Sequence, residues 1–128
     1  MSAKDVERVA EQLGREVEGW LAQERAWIQE GGVPAGVASV PVMYLCYDGT
    51  GVPMIPREVA GRKGKQADGS AKTREAKLGC VFSQTATDEE GFPIRDPDST
   101  SFVGVIEEAE KFGERLYAEA VRRGLNQA

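Results

Sequence analysis

The chain contains no histidine. That removes Ser-His-Asp and Cys-His triads and every histidine-based metal site, so any chemistry must run on carboxylates, hydroxyls or lysines. Cysteine is scarce: Cys46 and Cys80 stand alone, without the CxxC spacing of a structural zinc site. Each sits inside an apolar, strand-like run, and the expected reading is two buried free thiols in a reducing compartment. Long hydrophobic runs are also missing. Nothing approaches the roughly 20 apolar residues that a membrane span needs. Met1 to Asp5 lack the basic start and apolar stretch of a signal peptide. The expectation is a cytoplasmic protein with no membrane partner.

What is present suits a folded domain. A 41% hydrophobic and 29% charged composition over 128 residues fits one domain with a modest core. A net charge of −5 argues mildly against a general nucleic-acid binder. The charge is uneven, however. Between residues 57 and 77 lie Arg57, Arg62, Lys63, Lys65, Lys72, Arg74 and Lys77, against only Glu58, Asp68 and Glu75.

Periodicity predicts a helix over residues 3–30. Val6, Val9, Leu13, Val17, Trp20, Leu21, Trp27 and Ile28 fall in steps of three, four and seven. Ser2 and Asp5 resemble a capping box, and Gly31, Gly32 and Pro34 end the helix. Trp20 and Trp27 share a face, which suits helix packing or a partner. Small residues from Gly31 to Ser39 read as a linker. The run Val40 to Tyr47 is apolar on both faces and predicts a strand at the centre of a covered sheet. Residues 54–76 read as a long polar loop, and loops of that length in compact domains are usually functional or disordered. A second strand is predicted over 77–85, an edge piece over 92–95 and a third strand over 101–105. A closing helix is expected over 106–123, with Gly113 allowing close approach to a strand and Gly124 as its cap.

Asp48 is the candidate for chemistry. It directly follows the first apolar strand, and ligands of open α/β sheets gather at the carboxyl ends of strands. A magnesium ion takes one or two carboxylates plus waters and phosphate oxygens, and paired metals clamp a phosphodiester during in-line attack. Asp-Gly is equally a hairpin-turn signal, and spacing alone favours the turn. The basic stretch offers cations for a phosphate backbone but no interleaved aromatics for base stacking. A plain solvated loop is its other reading.

Five ordered blocks resemble those of the ISKra-type bacterial insertion-sequence transposases: residues 48–54 (DGTGVPM), 61–66 (GRKGKQ), 68–75 (DGSAKTRE), 77–82 (KLGCVF) and 95–100 (RDPDST). Residues 114–120 (ERLYAEA) and 122–124 (RRG) continue the likeness. The resemblance implies a DDE transposase with a ribonuclease H-like core, in which three carboxylates hold two divalent metals that cut and join DNA. It places the first carboxylate, a catalytic and metal-binding position, at Asp48. A transposase piece of this kind is expected to bind DNA weakly, by its phosphate backbone, through the basic stretch's Arg62, Lys63, Lys65, Lys72 and Arg74, and magnesium is expected for the complete site only.

The second and third carboxylates of that family lie beyond the helix that closes this chain. So does the strand that would flank the first. No motif assigns a role to Asp96, Asp98, Glu107 or Glu110. The expectation is a truncated, incomplete ribonuclease H-like α/β fold: a helix at 1–32, then the front part of a catalytic domain at 33–128. Such a piece would be inactive alone, associating with DNA, with itself or with a companion transposase chain. The competing expectation is a small non-enzymatic interaction or DNA-binding module, docking through the Trp-bearing helix or an open sheet edge. A sugar-kinase-like phosphotransferase is a third class, which the basic blocks do not suggest.

Overall fold

A computed structural model describes residues 1–38 and 40–125. Ser39, the end of the expected linker, and residues 126–128 of the expected second region lie outside the described residues. The fold is mixed α/β: a long N-terminal helix, a three-stranded antiparallel sheet and a C-terminal helix.

Helix α1 runs Ala3–Gln29 and begins at the expected capping box, in which Ser2 and Asp5 bond reciprocally. Two of the helix's orphan N–H groups are thereby satisfied. Strand β1 (Met43–Pro53) pairs antiparallel with β2 (Thr73–Ser83), and β2 pairs antiparallel with β5 (Ser101–Val105). The sheet order is β1-β2-β5, so β2 is central. A separate two-stranded ribbon joins β3 (Ala86–Thr87) to β4 (Pro93–Ile94). Helix α3 (Ala109–Arg122) follows β5.

The core lies on one face of the sheet. Val81 packs with Phe112, Leu116 and Ala120 of α3, and Met43, Val103, Val105 and Leu125 close around them. A second cluster joins Ile28 of α1 to Ala118 and Val121. The backbone approach between helix and sheet is made possible by Gly79, not by the expected Gly113. A Cβ at Gly79 would lie 2.8 Å from Leu116 and 3.0 Å from Phe112, whereas one at Gly113 would meet nothing. The other sheet face is largely uncovered. Phe82 is shielded there by Tyr44, stacked at 5.2 Å, and by the Arg95 guanidinium 3.8 Å above its ring. Leu78 and Phe102 on that face are exposed.

Helix α1 is tied down from Glu18 onward. Arg115 makes bidentate bonds to Glu18 (2.9 and 3.0 Å) and to Glu107 (both 2.7 Å). Arg25 adds a 2.6 Å bond to Glu18, and Arg122 joins Glu24 to Glu119. The Arg115 and Arg25 hydrogen bonds hold the Glu18 carboxyl at about 2, against an ordinary 4.5.

Four expectations need correcting. The first strand is not the covered centre of a sheet; it is an edge, exposed along nearly its whole length, because β2 has neighbours on both sides and β1 on one. Cys46 is accordingly exposed and Cys80 half-buried, both free, instead of two buried thiols. The second strand starts at Thr73, four residues earlier than expected, since it pairs with β1 through Pro53. Residues 54–76 are not a structureless loop. They include a short helix α2 (Pro56–Val59) and a narrow tongue closed by the Lys63–Ser70 bridge.

Candidate functional site

Asp48 is neither a turn residue nor a strand end. It sits midway along β1, opposite Leu78, and the DGTG run continues the strand to Pro53. The Asp-Gly turn signal loses here because both residues are paired along a two-strand ladder eleven residues long. Alternation puts the Asp48 side chain on the face away from α3, with Tyr44 and Cys46. Its Oδ1 accepts a 2.8 Å bond from the Gly49 N–H.

Beside it, a cleft of about 610 Å³ opens between the sheet and α3, bordered by Tyr47, Asp48, Gly49, Glu75, Lys77, Phe112 and Leu116. Glu75 lies across Gly49, where a Cβ would collide with its carboxylate. Gly49 thus leaves room for an acidic side chain to cross the strand. Glu75 and Asp48 belong to opposite sheet faces, so they form no convergent pair. Among the described residues, no group of three or more His, Cys, Asp or Glu could hold a metal ion.

A second cleft, of about 320 Å³, shares Glu75 and Lys77 with the first and adds Arg62, Lys63, Arg74, Glu107 and Glu108. Three of the five expected DNA-contacting cations, Arg62, Lys63 and Arg74, therefore meet around one opening. Lys65 and Lys72 are exposed but not part of its lining. Two of the cleft's cations also hold the fold together. Lys77 Nζ donates to the Glu107 carbonyl at 2.6 Å and faces Glu75 at 3.7 Å, while Arg74 donates to the Ile106 carbonyl at 3.3 Å. These bonds fasten the β5–α3 connection to β2.

The tongue that carries Arg62, Lys63 and Lys65 is shaped by its own residues. Gly64 donates to the Gly69 carbonyl, Ala71 donates to the Arg62 carbonyl, and Gly69 takes a φ of +79°. A Cβ on Gly64 would strike the Ala71 backbone at 2.5 Å. Asp68 accepts from the Ser70 hydroxyl and N–H, and these bonds lower its pKa. The repeated glycines of the basic block therefore permit a tight hairpin, a reason that charge counting alone does not supply.

Asp96, to which no motif assigns a role, is a structural hub. It accepts from the Ser83 hydroxyl at 2.6 Å, from the Thr85 N–H and hydroxyl, and from the Ala86 N–H. The Ser83 bond leads in holding its carboxyl at about 2. Its spacing from Ser83 and Thr85 crosses a turn, so only the folded chain reveals the role. Asp98, at φ +56°, offers its carbonyl to Arg123.

No helix among the described residues is long and apolar enough to cross a membrane. Compared with models of protein families, with curated proteins and with solved structures, the chain matches none of them.

Proposed function

We propose that this chain is the opening section of a DNA-transposing catalytic domain of the ISKra-like, ribonuclease H-like kind. In that reading the tongue cations contact DNA phosphates, and Asp48 is one carboxylate of a metal site that other segments complete. The observation that carries the reading is the placement of Asp48 midway along an uncovered edge strand, bordering a cleft that shares Glu75 and Lys77 with the neighbouring cleft of Arg62, Lys63 and Arg74. The likeness in sequence calls for the first carboxylate on the first strand, with its flanking strand outside this segment. The unpaired outer side of β1 supports that. The described residues alone do not fit a two-magnesium centre, because one carboxylate without convergent partners holds such ions poorly. No cleavage or strand-transfer step is therefore assigned to this chain by itself.

Fluorescence anisotropy with a labelled DNA duplex tests the interface. Three or four phosphate contacts give a fall in affinity of roughly 10²-fold between 50 and 200 mM salt. Arg62→Ala with Lys63→Ala should weaken binding and flatten that slope. Absence of binding at low salt, or a slope untouched by the double substitution, defeats the phosphate-contact reading. Asp48 is tested by supplying the later acidic segments of an ISKra-type domain as a second polypeptide. Magnesium-dependent strand transfer should then vanish with Asp48→Asn.

A second reading is an interaction module without chemistry of its own. The observation favouring it is the exposed apolar stripe along α1. Failure of both tests above, with a stable fold retained, selects it.

A further inference from the structure

Helix α1 continues well past the part that touches the body. Its bonds to α3 begin at Glu18. Over residues 3–17 every residue is exposed except half-buried Asp5, and the described ion pairs there, Asp5–Arg8 and Glu11–Arg15, stay within the helix. A stretch of this length gains most of its helical stability from packing an apolar face. That face exists: Val6, Val9, Leu13, Val17 and Trp20 lie on one stripe and are between 47% and 66% exposed. Trp27, further along, rests its ring against Gly32 but is itself 47% exposed.

The spacing of the stripe identifies what fits it. From Val6 to Trp20 the steps are three, four, four and three, a sequence that reads the same in both directions about Leu13. We propose that α1 pairs antiparallel with α1 of a second copy of this chain, around a two-fold axis at Leu13. In that register Leu13 meets Leu13, Val9 meets Val17, and small Val6 meets large Trp20. Each apolar residue finds an apolar partner, as an isologous contact requires. The flank agrees. On that flank Asp5 lies two residues, about 3 Å along the axis, from the level of Gln23 of the other helix, and Gln12 equally from Glu16, so carboxylates neighbour amides. Parallel pairing would instead set Asp5 beside Asp5, Glu16 beside Glu16 and Trp20 against Trp20, which both charge and volume disfavour. The pairing stands whichever reading of Asp48 holds, since it uses none of that site.

Sedimentation velocity on the whole chain tests it. The chain should pass from monomer to dimer with rising concentration. Leu13→Glu, which buries two carboxylates at the axis, should weaken dimerisation at least about tenfold. Far-ultraviolet circular dichroism should stay largely unchanged at low concentration, because Leu13 is exposed and lies ahead of the clasp at Glu18. A chain that stays monomeric up to about 1 mM overturns the proposal. So does a dimer indifferent to Leu13→Glu, which would place the contact on β1 or the open sheet face. Orientation is read by oxidation in a Cys46→Ser background. Leu13→Cys should cross-link with itself, while Val6→Cys should cross-link only when mixed with Trp20→Cys. Self-cross-linking of Val6→Cys as efficient as that of Leu13→Cys refutes the antiparallel register.

Discussion

Strands β1 and β2 are each eleven residues long and pair with each other throughout, yet their environments are opposite. β1 opens with an apolar run, Met43 to Tyr47, and is exposed almost everywhere. β2 opens with Thr73, Arg74 and Glu75, and then buries Gly79, Val81, Phe82 and Ser83 completely or nearly so. Composition alone would rank them the other way. What decides is the number of neighbours: β2 is flanked by β1 and β5 and roofed by α3, while β1 has one open side. An apolar strand left on an edge is the kind of surface that partners cover.

The contrast is sharpest when equal cuts are made in each strand's surroundings. Leu116→Ala, beneath β2, should cost about 2–5 kcal/mol by emptying the space around Val81. Leu45→Ala on β1 should cost less than about 1 kcal/mol, because Leu45 is already part exposed. Urea denaturation of the two variants measures both. Equal losses would mean that β1 is covered in solution.

A smaller effect separates the glycines. Gly79→Ala crowds Leu116 and Phe112, for an expected loss of about 1–3 kcal/mol, visible as a lowered thermal midpoint. Gly49→Ala meets only the movable end of Glu75 and should lie within about 0.5 kcal/mol of the parent. If Gly49→Ala is the worse of the two, the outer strand is the more constrained one.

The smallest effect is on acidification. Asp96, tied to the end of β2, and Glu18 both have folded-state pKa values near 2, below their ordinary 3.8 and 4.5. Groups depressed on folding contribute stability above their unfolded values and lose it as pH falls through the folded ones. Stability should therefore decline between about pH 5 and pH 2. Both groups are partly solvated, so the decline should be modest. Asp96→Asn should flatten part of it, as followed by urea midpoints across that range. A flat profile for the parent chain would show that neither carboxylate is held as described.

Against these particulars, α1 was the most legible element, whereas α3 starts at Ala109, three residues later than expected. Ser2 and Asp5 announced the start of α1, and an apolar period fixed its length to within a residue. The bounds of β5 were equally plain. The edge position of β1 was hidden, because an apolar run reports what a strand could bury and not what lies beside it. Gly79 was passed over for Gly113, since both sit in amphipathic segments and only the assembled layers show which faces the other element. Around Asp48 the sequence pointed to an acid just past the end of the first strand, whereas it lies midway along it, because β1 continues to Pro53. The meeting of Arg62 and Lys63 with Arg74 and Lys77 was not legible. It depends on the tongue folding back over β2, through a glycine hairpin that looked like a plain loop.

The clasp at Arg115 has a mechanical corollary. It grips α1 at Glu18, so the fifteen or so residues ahead of that point act as a lever roughly 22 Å long. A tilt of about ten degrees at the fulcrum would displace the tip by some 4 Å, on the order of one side chain's reach. Whatever rests on the far end of α1 would feel strain in the guanidinium–carboxylate joint, magnified by the length of the arm.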